Sequence, residues 1–343
     1  MSTAIAVPAP AGSPSTGHQP TGILGTGSYL PEREVSNDDV GRPAGVDHEW
    51  IIGKTGIRSR RWAAPSEATS DLAAEAGRRA LANAGLTAAD IDLIVVATST
   101  PDHPQPPTAT LVQAMLGATG ATAFDLNAVC SGFVFALGTA ERFVAGREGS
   151  RALVIGADVY SRILNPADRR TTILFGDGAG AVVAGPVAHG SGVLAHRLIS
   201  DGGRAGLIGV HGGGSRSPLT VDGLNAGSQY FTMNGRAVRD FVAAHVPVLV
   251  RQFLRDSGID PAEIRHVVPH QANGRMLDDL ATDLGLPDAV VHRTVDRYGN
   301  TGAASVPVTL DSAVRAGHVE PGDLVLLVAF GGGMAVGMSL VRW

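Results

Sequence analysis

Apolar residues along this chain fall into two kinds of run. Leu93–Ala97, Ala152–Ile155, Val267–Val268 and Leu324–Val328 are short, unbroken by charge and rich in β-branched residues. Such runs predict strands buried on both faces. Between them, Asp71–Ala84, Ser131–Ala145, Gly235–Ser257 and Ala303–Ala316 place small apolar residues at helical spacing. These four segments are predicted helices, and Gly85 and Gly258 stand where C-terminal caps belong. Leu324 to Val341 is an uncharged stretch whose length suits a membrane span. Gly331-Gly332-Gly333 interrupts it, and its β-rich flanks predict two buried strands around a tight turn. Helices alternating with continuous apolar strands define a layered α/β architecture.

The pattern occurs twice. Gly85-Leu-Thr-Ala-Ala-Asp-Ile91 leads into one strand, and Gly258-Ile-Asp-Pro-Ala-Glu-Ile264 leads into another farther on. Gly149-Ser-Arg-Ala-Leu-Val-Ile155 and Gly322-Asp-Leu-Val-Leu-Leu-Val328 match at the same offset in numbering. A shared offset of about half the chain argues for two related halves, expected at 21–186 and 187–343. In such a duplication the helix starting near Cys130 and the one starting near Asn300 are equivalent. A pseudo-twofold axis would bring their starts together.

Composition narrows the function classes. A formal charge of −5, with no basic run carrying interleaved aromatics, gives no reason to expect nucleic acid as a partner. A single cysteine excludes an intramolecular disulfide and fits a cytoplasmic location. Residues 1–20 are dominated by Ala, Pro, Ser, Thr and Gly, without a cationic start or an apolar core. They are expected to be a disordered tail and not a signal peptide.

That one cysteine, Cys130, lies between a strand-like run and a predicted helix, in Asp125-Leu-Asn-Ala-Val-Cys-Ser-Gly-Phe133. A helix start favours negative charge and therefore the reactive thiolate. Alone, a free cysteine is more often a small buried filler. His270, in Val268-Pro-His-Gln-Ala-Asn273, is alone one of eleven histidines. Asn300, in Tyr298-Gly-Asn-Thr-Gly302, is alone an ordinary cap or turn residue. All three together, at strand ends and helix starts of a duplicated α/β chain, point to one crevice.

With Gly176-Asp-Gly-Ala-Gly-Ala-Val-Val183, the longer run Tyr298–Pro307 and Phe330-Gly-Gly-Gly333 added, the set resembles the β-ketoacyl-acyl-carrier-protein synthase III family from about Gly22 to Trp343. The glycines after Gly176 are read as close backbone packing and not as a dinucleotide loop, because a strand follows them. The resemblance implies a thiolase-like αβαβα five-layered fold and a homodimer. It implies that Cys130 accepts an acyl group from an acyl-coenzyme A, with the N–H groups of Cys130 and Gly332 as oxyanion donors. His270 and Asn300 would then stabilise the enolate left when malonyl-acyl carrier protein loses carbon dioxide, with Phe330 beside the malonyl carboxylate. No metal or redox cofactor is implied; coenzyme A enters only as the substrate's thioester.

Family-like coenzyme A contacts are Trp50 and Arg169, with Lys54 where an arginine is common. Gln105, in the loop Thr98–Thr108, falls where a phenylalanine often closes the partner's acyl pocket, so a primer longer than acetyl is expected. Carrier-protein docking falls to Arg275, with Arg239 and its neighbours Arg236 and Arg251 compensating for Asp240, Thr282 and Asp283 at other docking positions. The expected reaction is a decarboxylating Claisen condensation that starts a fatty-acid or polyketide chain, tilted towards specialised metabolism. The alternative is a related acyltransferase that passes the acyl group to a hydroxyl, amine or other small acceptor.

Overall fold

Continuous apolar runs do become strands here, because each is covered on both faces. The structure, a computed structural model, describes Ala11–Gly12 and residues 19–343. In the N-terminal half the strands are β1 (Thr21–Tyr29), β2 (Leu93–Ala97), β3 (Thr122–Leu126), β4 (Ala152–Asp158) and β5 (Gly178–Pro186). They form one sheet in the order β1-β5-β4-β2-β3, with β2 parallel to both β3 and β4. In the C-terminal half, β6 (Gly192–Ile199), β7 (Ile264–Pro269), β8 (Val290–Val291), β9 (Leu324–Gly331) and β10 (Ala335–Arg342) repeat that order as β6-β10-β9-β7-β8. Strand directions repeat as well, with β7 parallel to β8 and β9, and β10 antiparallel to its neighbours. The duplication seen in sequence is thus a duplication of topology.

Ala11–Gly12 adds a short antiparallel edge to β6. Apart from that pair and Gln19–Pro20, the expected tail lies outside the described residues.

The principal helices are α1 (His48–Thr55), α2 (Thr69–Ala84), α3 (Thr108–Leu116), α4 (Gly132–Ala145), α5 (Gly235–Asp256), α6 (Gly274–Asp283) and α7 (Ser305–Arg315). Strand periodicity assigns them to layers. On β2, Leu93, Val95 and Ala97 pack with Phe133 and Leu137 of α4 and Val306 and Leu310 of α7. Ile94 and Val96 face the other way, into a core built with α2 and α3. Across the molecule, Leu326 and Val328 of β9 join Val246 and Phe253 of α5 and Leu277 of α6. The layers therefore run α2/α3, sheet, α4/α7, sheet, α5/α6, the αβαβα arrangement expected. Every residue of Ser305–Asp311 is buried, as a helix sandwiched between two sheets requires.

The starts of the two central helices meet. A Cβ on Gly132 would lie 3.5 Å from that of Ala303, and a Cβ on Gly156 would lie 2.3 Å from the Ala303 carbonyl oxygen. Glycines in the Gly176 run serve the same purpose, since a Cβ on Gly180 would lie 2.6 Å from the backbone nitrogen of Val308 in α7. This is close backbone packing, as their sequence context predicts. The Leu324–Val341 stretch forms β9 and β10, paired from Leu324↔Arg342 to Gly331↔Ala335 around the turn Gly332–Met334. Among the described residues no helix is long and apolar enough to cross a membrane.

Candidate active site

Cys130 sits in the single helical turn Val129–Ser131 that opens α4. Val129 has φ 48°, the left-handed region that a β-branched residue avoids at a cost of about 1–3 kcal/mol. Surrounding contacts hold it there. Asn127 Oδ1 accepts the Val129 N–H at 3.0 Å, and the Ser131 hydroxyl donates to the Ala335 carbonyl at 2.9 Å. The glycine run presses on the same turn: a Cβ on Gly331 would lie 2.8 Å from Cys130 Cβ, and one on Gly332 would lie 3.0 Å from Val129 Cγ2. Two glycines are needed because nothing larger fits beside the cysteine.

The thiol is buried, with 7% of the residue exposed. Burial first, and then the charge of Asp158, push its pKa up to about 12, against a smaller lowering by the Tyr160 hydroxyl. Burial therefore opposes the thiolate that a helix start favours.

His270 follows β7, its N–H donating to the Val328 carbonyl at 2.7 Å. Its Nδ1 lies 2.6 Å from the hydroxyl of Ser305, the first residue of α7. The Phe330 ring meets the imidazole edge-on, 5.3 Å between centroids at 79°. Burial lowers the His270 pKa to about 3, so the imidazole is neutral. Asn300 is pinned through its backbone to Leu174 and Gly176, and its Oδ1 accepts the Gly302 N–H at 2.9 Å. That bond leaves the Nδ2 hydrogens as the side chain's donating face.

A cleft of ≈ 400 Å³ gathers Trp50 and Lys54 of α1, Arg169, Arg239 of α5, Arg275 of α6 and Asn300. Residues from both halves thus share one space, and the Arg169 guanidinium lies 5.8 Å from the centroid of the Trp50 ring. The two arginines expected to dock a carrier protein each lie beside a carboxylate. Arg239 pairs with Asp279 at 2.8 Å, and Arg275 donates to the Gly53 carbonyl at 3.3 Å with Asp278 at 3.9 Å. Gln105 is exposed on its loop and is not among the cleft residues. A separate hollow of ≈ 410 Å³ near Arg147 and His189 holds none of these groups.

Several residues of the site were not legible in sequence. Ser305 orients His270. Gln271 braces the following loop, accepting the Thr294 and Val295 N–H groups at 2.9 and 3.1 Å and donating to the Pro269 carbonyl at 2.8 Å. Asp158, Ser99 and Tyr160 form a hydrogen-bonded group, and the charge of Asp158 raises the Cys130 pKa. Only Asp158 left a signal, as a charge closing an otherwise apolar strand.

An αβαβα duplication whose Cys130 turn packs against Gly331 and Gly332 of the other half has the architecture of the thiolase-fold condensing enzymes. The chain belongs to the 3-oxoacyl-[acyl-carrier-protein] synthase III family. Residues 124–202 match that family's first profile and residues 254–343 its C-terminal one. The chain is 61% identical over 323 residues to an acetoacetyl CoA synthase, NphT7, of Streptomyces sp. (strain CL190), covering 94% of this chain and 98% of that one. It is 48% identical to a β-ketoacyl-[acyl-carrier-protein] synthase III of Erythrobacter litoralis (strain HTCC2594), with the same coverage of each. Among solved structures, a priming β-ketosynthase of a polyketide biosynthetic pathway superposes with a TM-score of 0.87 at 36% identity, covering 96% of this chain and 98% of that one. The protein is accordingly an acyltransferase of the condensing type. Enzymes of this family need no cofactor beyond their thioester substrates.

Proposed function

We propose that the protein joins an acyl group, carried as a thioester on Cys130, to the carbanion of a decarboxylating malonyl thioester. The observation that carries this reading is the pair of neutral donors: His270 with Nδ1 held by Ser305, and Asn300 with Oδ1 held by Gly302. A hydroxyl donating to Nδ1 puts the imidazole proton on Nε2, and the asparagine offers Nδ2–H. Two such donors stabilise an enolate oxygen without protonating the carbanion, and one such donor is worth about 10²–10³ in rate. Phe330, packed on His270, supplies an apolar wall that disfavours the malonyl carboxylate and favours loss of carbon dioxide. The N–H groups of Cys130 and Gly332 would take the oxyanion of the acyl thioester.

Trp50, Lys54 and Arg169 fit coenzyme A recognition, with the adenine stacked between Trp50 and Arg169 and Lys54 meeting phosphate. Gln105 would reach the partner's acyl pocket in a homodimer, in a cytoplasmic enzyme whose halves divide near residue 186. Two facts favour malonyl-coenzyme A over malonyl-acyl carrier protein as the second substrate. Arg239 and Arg275 lie beside Asp279 and Asp278, which weakens the positive field an acidic carrier would meet. The 61% identical relative is named for a coenzyme A product, which condensation of an acetyl group with malonyl-coenzyme A would form.

The test follows the intact mass of the protein with a panel of acyl-coenzyme A thioesters, then chases with malonyl-coenzyme A or malonyl-acyl carrier protein. Acylation at Cys130 that disappears as a β-ketoacyl thioester forms supports condensation, and the productive chase identifies the carrier. Acylation that survives both chases overturns the reading in favour of transfer to another acceptor.

A further inference from the structure

Asn300 can donate to an enolate only if its amide nitrogen, and not its oxygen, faces the substrate. That orientation hangs on one side-chain bond, from the Gly302 N–H to Asn300 Oδ1 at 2.9 Å. Gly302 opens the single turn Gly302–Ala304 that precedes α7, and it does so at φ 58°. The next N–H along, that of Ala303, leaves the C-terminal half altogether. It donates to Asp158 Oδ2 at 2.7 Å.

Asp158 ends β4 and is fully buried. Its Oδ1 accepts the Ser99 N–H at 2.8 Å and the hydroxyls of Thr98, Ser99 and Thr100 at 3.1, 3.0 and 3.0 Å. Every one of these groups donates, so the ionised carboxylate fits them all, and the bonds oppose the rise in pKa that burial imposes. The frame around it is rigid. The Thr100 hydroxyl accepts the Val159 N–H at 2.8 Å, and the Ser99 hydroxyl lies 3.0 Å from that of Tyr160, whose ring stacks on Phe175 at 4.4 Å. Each carboxylate oxygen thus faces a backbone N–H, Oδ1 that of Ser99 and Oδ2 that of Ala303. An asparagine has the same shape but must turn its NH₂ towards one of them. The turn also has no slack on this side: a Cβ on Gly302 would run into Asp158 Oδ2 and come within 2.6 Å of Tyr160 Cε2.

We infer that Asp158 is a positioning residue for the condensation step, fixing the Gly302–Ala304 turn so that Asn300 presents Nδ2–H to the enolate. The inference rests on the condensation reading above, in which Asn300 is an enolate donor. Asp158 acts through two consecutive N–H groups, Ala303 to the carboxylate and Gly302 to the asparagine. A strand end of the N-terminal half therefore sets the geometry of a donor in the C-terminal half. Acylation of Cys130 makes no use of Asn300, so the two half-reactions should respond differently to loss of the carboxylate. The charge of Asp158 opposes the Cys130 thiolate, so its removal gives acylation no reason to slow.

The experiment takes wild type, Asp158→Asn, Asn300→Ala and the double variant. Each is loaded with acetyl-coenzyme A, followed by intact mass, and chased separately with malonyl-coenzyme A and malonyl-acyl carrier protein. A donor misplaced by about 1 Å costs about 10²-fold, so Asp158→Asn should lose about that factor in condensation while loading stays within a few-fold. The double variant should condense no more slowly than Asn300→Ala, because both changes act through one donor. Equal losses in loading and condensation, independent losses that multiply in the double variant, or a wild-type rate in Asp158→Asn each overturn the inference. A crystal structure of Asp158→Asn gives a reading that needs no substrate. The turn should shift and Asn300 Oδ1 should leave the Gly302 N–H; an unmoved turn with that bond intact overturns the inference. A wild-type enzyme that loads but survives both chases defeats the condensation reading alone, and the crystal structure still decides the role of Asp158 in holding Asn300. If Asp158→Asn does not fold, Gly302→Ala, whose Cβ displaces the turn from the carboxylate, must show the same selective loss of condensation.

Discussion

The turn that opens α4, Val129–Ser131, and the turn that opens α7, Gly302–Ala304, are equivalent pieces related by the offset of the duplication. Both begin on a residue in the left-handed region, Val129 at φ 48° and Gly302 at φ 58°. Each is faced by the end of a strand from the other half, and those strand ends, Asp158 and Gly331, are related by the same offset. Here the halves diverge. Asp158 fills its place with a carboxylate that takes the Ala303 N–H at 2.7 Å. Gly331 has no side chain, and its position lies against Cys130, the residue equivalent to Ala303. One turn has its N–H taken by a carboxylate, and the other packs directly against strand backbone. Duplication supplied two helix starts, which differ both in the residue at the turn, Cys130 or Ala303, and in the strand end facing it, Gly331 or Asp158.

The comparison breaks most sharply at the nucleophile. Cys130→Ser should cut acyl transfer about 10³-fold or more, because an unactivated hydroxyl replaces a thiol; acyl-enzyme formation by intact mass reads it, and rapid loading would remove Cys130 from its role. Asn300→Ala should lower condensation by about 10²–10³ while acylation proceeds. Equal loss in a two-step assay would count against the division of labour between the turns. Gly331→Ala tests the divergence directly. Its Cβ would meet Cys130 Cβ at 2.8 Å, and an overpacking cost of about 1–3 kcal/mol should appear as a roughly tenfold or greater fall in acylation. Unchanged kinetics would show that the turn has slack.

A smaller effect is expected in stability. His270 has its pKa lowered from about 6.5 to about 3 by burial, so the unfolded chain binds a proton that the folded chain refuses. Its contribution is complete above about pH 6.5 and is lost as pH falls, by about 2 kcal/mol between pH 7 and pH 5. Asp177, raised to about 6, acts with the opposite sign over part of that range. Urea unfolding at both pH values should therefore show a smaller acid loss in His270→Gln than in wild type; equal losses would mean the imidazole is not held neutral. Smallest is Gln105→Phe, which should shift primer preference a few-fold towards short chains, on the order of 1 kcal/mol. An unchanged profile would take Gln105 out of the acyl pocket.

Local pattern and repetition encode the framework of this protein outright. Continuous apolar runs such as Leu93–Ala97 already specify strands covered on both faces. The common offset of the two motif pairs specifies two alike halves, and that symmetry is reason enough to look for Cys130's partners near residue 300. The family motifs then carry His270, Asn300 and the glycine run, whose identities are dictated by chemistry and close approach. Packing decided everything that depends on one half touching the other. Ser99 is far in sequence from Asp158 and Tyr160, and no spacing announces that its hydroxyl joins both of them. The protonation of Cys130 escapes a sequence reading for the same reason. A helix start is visible in sequence, but the burial and the neighbouring carboxylate that oppose a thiolate are properties of the packed interior. Arg239 follows suit: its charge is legible alone, while its partner Asp279 becomes relevant only when α5 and α6 lie side by side.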